Sequence, residues 1–340
     1  MIRLSTSYRD FNSIAQEWLA MVDEYLDDTR LEQMKNSLEQ FRIPKTNVAL
    51  SVEEKKLGRK ILDYYKQNLE YFVLADEQKL SHIASCYKIH MNAHRKVLHA
   101  ALKNVFCKLY KEFREYDVSR LVMDIYGQTV DSERVAYYFF KKLGIRTCPY
   151  CNRQYTFTIS SSHANTSPEY DHFYEKSKFP ILAVSFYNLV PSCHTCNHVK
   201  GIQDIRINPF FHEMQGRFSI VHAQSNAELR GCELNERVKK VDWKLKFKDT
   251  NDADERNIEA LGLQELYEQH DDYIDEMIAK TQAYNIYARE ALVSAFQGAG
   301  YTERDVQNFV WGPYLDTAKY KERPLSKLTH DLLEQFEIIP

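Results

Sequence analysis

Several features that would define a protein class are missing from this chain of 340 residues. No apolar run approaches the roughly 20 residues of a membrane-spanning helix. The first ten residues lack the apolar core of a secretory signal peptide. There is no internal repeat, no low-complexity segment and no Walker A phosphate loop. We therefore expect a globular cytoplasmic protein with no membrane partner, in which any dependence on ATP comes from another protein.

Two C-x-x-C pairs, about forty residues apart, are the sharpest motif in the chain: Cys148 with Cys151, and Cys193 with Cys196. Each pair supplies two thiolates from one short turn, and four thiolates complete the tetrahedral coordination that Zn²⁺ prefers. A disulfide or a redox C-x-x-C is the alternative. Thiols stay reduced in the cytosol, and no thioredoxin-like βαβ pattern surrounds the pairs. The spacing therefore favours a structural zinc site.

The segment between the two cysteine pairs carries polar residues suited to metal-assisted chemistry. Asp171 and His172 are adjacent, so on an extended strand their side chains point to opposite faces. One can hold a metal while the other faces a water molecule. Asn188 and Asn197 follow, and Cys196–Asn197 is predicted to open a helix whose N-terminus favours anions.

The order of these residues resembles the signature of the HNH, or ββα-metal, endonucleases. The pattern is Asp-His, then Asn-Leu, then Cys-Asn-x-x-Lys, in the variant whose last motif position is Asn. The resemblance implies that His172 is the general base that activates water. It also implies that Asp171 and Asn197 bind one Mg²⁺ or Mn²⁺ ion, and that Asn188 holds the loop and orients His172. Such a set matches what phosphodiester hydrolysis needs, namely a base and a Lewis acid.

A longer run, 171–180 followed by 187–193, resembles the HNH nucleases of bacterial anti-phage systems, including the Septu-type and retron-associated proteins. Those proteins commonly carry proline where this chain has Glu175, which puts a negative charge near the motif. The resemblance implies a role in anti-phage immunity and an ATPase partner that controls cutting.

Charge is distributed unevenly along the chain. The whole chain has a net charge of −3, which by itself does not favour nucleic acid. From residue 141 to 206, however, eight basic residues stand against four acidic ones, a balance of +4. Lys176, Lys178 and Lys200 cluster around the motif and are candidates for phosphate contacts; the alternative is that each is a solvated lysine. We expect a nucleic-acid substrate, with DNA preferred.

A second class of protein also explains the cysteines: a zinc-stabilised nucleic-acid-binding or adaptor module without catalysis. It leaves the Asp-His pair and the two asparagines unexplained, since a binding module does not need a base beside a metal carboxylate. The endonuclease interpretation is therefore the stronger of the two.

The patterning elsewhere predicts an α+β protein that is mostly helical. Residues 1–144 form a helical region, in which one long helix is expected from about 80 to 116. Residues 145–212 form the zinc-stabilised ββα-metal module. Residues 213–340 combine helices with a small β-insertion, because the runs 218–222 and 243–247 alternate as strands do.

Overall fold

A computed structural model describes residues 1–4, 9–91, 95–161, 163–231, 243–284 and 286–339. The described residues are mostly helical and contain three two-stranded antiparallel sheets, consistent with the predicted α+β class. Within these ranges, no helix combines the length and the apolar character needed to cross a membrane.

The N-terminal region is helical, as its apolar periodicity predicts. Its described helices are α1 (Arg9–Tyr25), α2 (Asp28–Gln40), α3 (Val52–Gln67), α4 (Leu69–Val73), α5 (Glu77–His90), α6 (Lys96–Glu115), α7 (Val118–Tyr126) and α8 (Val135–Leu143). A capping box formed by Ser51 and Glu54 starts α3. Gly144 ends α8 with a φ of 59°, a left-handed conformation that glycine adopts without strain.

The prediction of one long helix from about 80 to 116 is wrong, because the chain forms α5 and α6 instead. That prediction depends on a ladder of apolar residues that follow one another in steps of four, namely Ile89, Ala93, Val97, Ala101, Val105 and Leu109. Each such step turns about 40° around a helix of 3.6 residues per turn, so the ladder cannot stay on one face. Ile89 at its beginning is 70 % exposed, whereas Ala101, Val105 and Leu109 on α6 are buried. Met91 ends α5 through its backbone N–H, which donates to the Tyr87 carbonyl.

The central region contains a β-β-α arrangement. Strand β3 (Glu169–His172) pairs antiparallel with β4 (Leu189–Ser192), and helix α9 (His194–Lys200) follows directly. A short hairpin, β1 (Ile159–Ser160) with β2 (Asn165–Thr166), precedes β3. Helix α9 begins two residues before the predicted start at Cys196, because the Cys193 sulfur accepts a hydrogen bond from the Cys196 N–H and caps the helix.

The C-terminal region contains the predicted β-insertion. Strands β5 (Arg217–His222) and β6 (Trp243–Lys248) pair antiparallel, which confirms the prediction from their alternating pattern. The helices of this region are α10 (Asp252–Leu261), α11 (Leu263–Glu268), α12 (Asp271–Ala283), α13 (Ile286–Gly298), α14 (Glu303–Trp311) and α15 (Ser326–Gln335).

Two hydrophobic cores organise the described residues. The larger core joins the N-terminal helices to the β-β-α region without a break near residue 144. Trp18 shows the connection, since its ring packs edge-on against Phe113 and Phe139 and its indole N–H donates to the Val184 carbonyl at 2.9 Å. The smaller core lies among β5, β6 and the C-terminal helices. The N-terminal helices therefore pack directly on the region that carries the motif residues, while the three-part domain division stays a prediction.

Candidate functional site

The four motif cysteines form one buried cluster, as the sequence predicts. Their sulfur atoms all lie within 4.8 Å of one another. The Cys151 and Cys193 sulfurs are 3.9 Å apart. A tetrahedral zinc ion with Zn–S bonds of about 2.3 Å places its sulfurs about 3.8 Å apart, whereas a disulfide requires about 2.05 Å. The cluster therefore fits a structural zinc ion and does not fit a disulfide.

Backbone groups and distant residues support the first cysteine turn. The Arg153 N–H donates to the Cys151 sulfur at 3.4 Å, a contact that stabilises a thiolate. Asn152 adopts a left-handed φ of 49°, and its side chain donates to the Tyr320 carbonyl and accepts from the Lys327 N–H. The C-terminal region thus holds the first cysteine turn in place through hydrogen bonds to Asn152. The sequence analysis did not single out this residue. Its position directly after the C-x-x-C was the available signal, because Asn tolerates a positive φ.

His172 lies at the end of β3 and is almost fully buried, with 3 % exposure. Its Nε2 lies 3.0 Å from the Ala183 carbonyl oxygen. Because a carbonyl only accepts hydrogen bonds, Nε2 carries the proton and Nδ1 is the basic nitrogen. Burial, aided by the nearby Lys176 ammonium, holds the pKa of His172 well below its usual value. The imidazole is therefore neutral at physiological pH and has one nitrogen able to accept a proton.

Asn188 organises the loop that holds His172. Its side-chain oxygen accepts from the Tyr174 N–H at 2.7 Å, and its amide nitrogen donates to the Tyr174 and Leu182 carbonyls at 3.1 and 3.0 Å. Leu182 is the neighbour of Ala183, whose carbonyl contacts His172. Asn188, the last residue of the loop between β3 and β4, therefore binds both its beginning and its middle.

Asp171 points to the opposite face of β3 and lies in a buried ion pair. Its two carboxylate oxygens accept from the Lys200 ammonium at 3.0 Å and from the Tyr150 hydroxyl at 2.7 Å. The Lys200 ammonium also donates to the His172 carbonyl at 2.8 Å. Burial raises the pKa of Asp171, and the opposing effects of Lys200 and Tyr150 are smaller.

Lys200 does not fit the predicted role of a phosphate contact. Its side chain is 0 % exposed, and its ammonium is occupied by Asp171 and a backbone carbonyl. Sequence alone suggests a surface lysine because α9 is short and polar. The side chain instead lies buried against β3, where its positive charge offsets the negative charge of the Asp171 carboxylate.

Asn197 lies on α9, which packs against β3. Its amide nitrogen donates to a carboxylate oxygen of Glu169 at 2.6 Å, and the His194 Nδ1 lies 2.9 Å from the other oxygen of the same carboxylate. Sequence reasoning missed Glu169. The available signal was its position two residues before Asp171, which places both carboxylates on one face of the strand.

The two remaining lysines lie near the surface of the loop after β3. The Lys176 ammonium is 5.5 Å from the centre of the Tyr110 ring, and Lys178 pairs with Asp204 at 2.9 Å. Glu175, where the resembling proteins commonly carry proline, accepts hydrogen bonds from the N–H groups of Ser177 and Lys178. Its carboxylate therefore shapes the turn that presents both lysines.

Helix α6 covers the face of β3 that carries His172. The Tyr110 ring packs edge-on against the imidazole, with a centre-to-centre distance of 4.6 Å. Tyr170 lies two residues before His172 and so shares its face of the strand. The hydroxyl groups of Tyr110 and Tyr170 and the Nε of Arg114 are buried without a hydrogen-bond partner among the described residues. Buried polar atoms of this kind mark a place for water or another polar group.

The oxygen donors around β3 fit a hard divalent cation in kind. Carboxylate and amide oxygens, such as those of Asp171, Asn197 and Glu169, are the ligands that Mg²⁺ and Mn²⁺ prefer. The Lys200 ammonium competes for one of them, because it already neutralises Asp171. A cation bound to Asp171 would therefore have to share that carboxylate with Lys200 or displace the ammonium.

Comparison with known proteins does not assign this chain to a family. No protein-family model matches this chain, and no match was found among curated proteins or solved structures.

Proposed function

We propose that this protein is a metal-dependent endonuclease of the HNH class that hydrolyses phosphodiester bonds, with DNA as the expected substrate. The observation that carries the proposal is the position of His172 and the hydrogen bond that determines which of its ring nitrogens is basic. It ends the first strand of a β-β-α arrangement, its Nε2 is held by the Ala183 carbonyl, and its Nδ1 is left as a base. The buried carboxylate of Asp171 lies next to it in the chain.

The proposed chemistry is attack of water on phosphorus. Nδ1 of His172 accepts the proton of the attacking water, the new P–O bond forms, and the bond to the leaving oxygen breaks. A Mg²⁺ or Mn²⁺ ion held by Asp171 and Asn197 would, when bound, stabilise the charge that develops on the phosphate. Asn188 positions the loop that orients His172, and zinc in the cysteine cluster holds the fold.

Phosphate contacts are proposed for the two surface lysines. Lys176 lies over Tyr110, which packs against His172, so its ammonium is next to the proposed base. Lys178 is partly exposed, and the Asp204 carboxylate that pairs with it is more exposed still. Exposed pairs of this kind contribute little to stability, so a phosphate can replace Asp204 at low cost.

The burial of His172 also supports control of the activity. Tyr110 of α6 covers the imidazole, so substrate cannot approach the base in this conformation. We propose that the N-terminal helices restrain cutting and that a partner protein releases them. The resemblance to anti-phage nucleases points to an ATPase as that partner and to defence as the biological role.

The same burial favours a second candidate, a zinc-stabilised nucleic-acid-binding or adaptor module. In such a module the Asp171–Lys200 pair would be purely structural, and His172 would remain covered. The two candidates differ in one respect that can be measured directly, because only the first breaks phosphodiester bonds.

A cleavage assay separates them. Zinc-replete protein is incubated with supercoiled plasmid or with RNA, in Mg²⁺, in Mn²⁺ or in EDTA, with and without the product of the adjacent gene. Metal-dependent conversion of plasmid to nicked or linear forms supports the endonuclease. Binding of either nucleic acid without cleavage under every condition would favour the adaptor module.

A further inference from the structure

A cavity of about 490 Å³ lies in the N-terminal region, outside the site described above. Its walls come from α3, α4 and α5, with Arg95, the residue before α6, and Ile181 from the loop between β3 and β4. On α3, Leu57, Ile61 and Tyr64 lie on one helical face, and this face lines the cavity. The volume is within the range of about 300–1,000 Å³ that is usual for small-molecule sites. We call it the α3–α5 cavity.

Aromatic rings form much of its wall. Tyr64, Tyr71, Phe72 and Tyr87 line the cavity. Phe72 holds the Tyr64 and Tyr71 rings edge-on, at centre-to-centre distances of 6.1 and 5.5 Å. A ligand with a flat ring can stack on aromatic side chains of this kind.

The polar lining of the cavity is basic. Lys60, His82, His90 and Arg95 line it, and no Asp or Glu is among the described lining residues. The ion pairs of the described part of the chain use neither Lys60 nor Arg95. Among the described residues, the Arg95 guanidinium donates to the His90 carbonyl, at 3.1 Å. A cavity with aromatic walls, whose Lys60 and Arg95 have no acidic partner among the described residues, is complementary to an aromatic anion.

We propose that the α3–α5 cavity binds a small molecule made of a flat aromatic ring system and an anionic group. A nucleoside monophosphate and an aromatic carboxylate both have this chemistry. The rings accept the flat body of the ligand, and Lys60 and Arg95 bind the anion. This site is separate from the proposed nuclease chemistry and does not depend on it.

The cavity also touches the loop that holds His172. Ile181 forms part of the wall, and Ala183, two residues further on, accepts the hydrogen bond from His172. A ligand in the cavity therefore packs against the segment that orients the imidazole. Slower hydrogen exchange at residues 181–183 is expected when the ligand is bound.

Isothermal titration calorimetry on the full zinc-replete chain tests the proposal. The probes are AMP, UMP and indole-3-acetate. Adenosine, which has the ring without the anion, and inorganic phosphate, which has the anion without the ring, are measured separately. We expect at least one aromatic anion to bind at least tenfold more tightly than either half. Lys60→Gln and Arg95→Gln should each weaken that binding about threefold to tenfold. Lys88→Gln should leave it unchanged, because Lys88 is an exposed lysine of α5 that does not line the cavity.

Three outcomes would overturn the proposal. One is that no aromatic anion binds at millimolar concentration. Another is that adenosine binds as tightly as AMP. The third is that Lys60→Gln and Arg95→Gln bind the anion as the Lys88→Gln control does. Preference for a nucleoside monophosphate over indole-3-acetate, or the reverse, identifies the source of the ligand.

Discussion

Removing one partner of the buried Asp171–Lys200 pair should destabilise the protein strongly. Lys200→Met keeps the length of the side chain but leaves the Asp171 carboxylate, 4 % exposed, without its counter-charge. Breaking a buried ion pair in this way costs about 3–5 kcal/mol. Asp171→Asn should be destabilising by a similar amount, because it leaves the buried Lys200 ammonium without its counter-charge, even though the amide oxygen can still accept a hydrogen bond from it.

The double variant Asp171→Asn/Lys200→Met should be more stable than Lys200→Met alone. Burial raises the pKa of Asp171 in spite of the ion pair, so desolvation exceeds the attraction to Lys200. Removing both charges removes that desolvation cost, and replacing a buried pair by neutral groups is often close to neutral. The two substitutions should therefore be strongly non-additive, with a coupling free energy of about 2 kcal/mol or more.

The assay is urea unfolding at a fixed zinc concentration, followed by tryptophan fluorescence. Of the three tryptophans, Trp18 lies in the larger core and packs against Tyr170, the neighbour of Asp171, while Trp243 and Trp311 lie in the smaller core. Lys280→Met is the matched control, because Lys280 and Glu276 form an exposed pair on α12, whose loss should change the free energy of unfolding by less than about 0.5 kcal/mol. If Lys200→Met were no more destabilising than Lys280→Met, the buried pair described here would be wrong.

The same variants test whether a divalent cation can use Asp171. Lys200→Met leaves a carboxylate without a competing ammonium, so Mn²⁺ should raise its melting temperature more than that of the wild type. A ligand at 100 times its Kd stabilises the folded state by about 2.7 kcal/mol. The double variant should lose this effect. Equal shifts in all three proteins would show that Mn²⁺ does not bind at Asp171.

Two further predictions concern zinc and the cover over His172. Freshly purified protein should contain about one zinc ion per chain by elemental analysis. Cys193→Ser should lower the zinc content and the melting temperature together, because metal binding is coupled to folding. Wild-type protein without zinc would contradict the four-cysteine site. Tyr110→Ala should raise metal-dependent cleavage severalfold, because it removes the ring over His172, and should destabilise the protein by about 3–5 kcal/mol. Tyr110→Phe is the control: it keeps the ring over His172, so the cleavage rate should stay near wild type. Equal cleavage by all three proteins would argue against a gating role for α6.

Local patterns predicted those features that depend on neighbours in the chain. The capping box of α3, the end of α8 at Gly144 and the β5–β6 pair all follow from residues a few positions apart. The four-cysteine cluster was predictable for a different reason. Two C-x-x-C turns supply the four thiolates that a tetrahedral zinc site needs, so the motif itself predicts that they come together.

Features that depend on distant contacts were not predictable. Nothing near Lys200 indicates that its ammonium reaches Asp171, 29 positions earlier. The contact in which the Tyr110 ring covers His172 joins α6 to β3. In the sequence, Tyr110 is only one of several aromatic residues on an amphipathic helix. The break between α5 and α6 was missed because a ladder at steps of four looks helical throughout, although its members rotate around the axis.

The most direct test of the proposed nuclease is the initial rate of plasmid cleavage by His172→Ala, at equal zinc content and saturating Mn²⁺, with the adjacent gene product present if wild-type cleavage needs it. His163→Ala serves as the control, since His163 is an exposed histidine of the β1–β2 hairpin. Loss of a general base lowers the rate by about 10²–10⁴-fold. We predict a loss of that size for His172→Ala and an unchanged rate for His163→Ala. Cleavage by His172→Ala at the wild-type rate would contradict the assignment of His172 as the base.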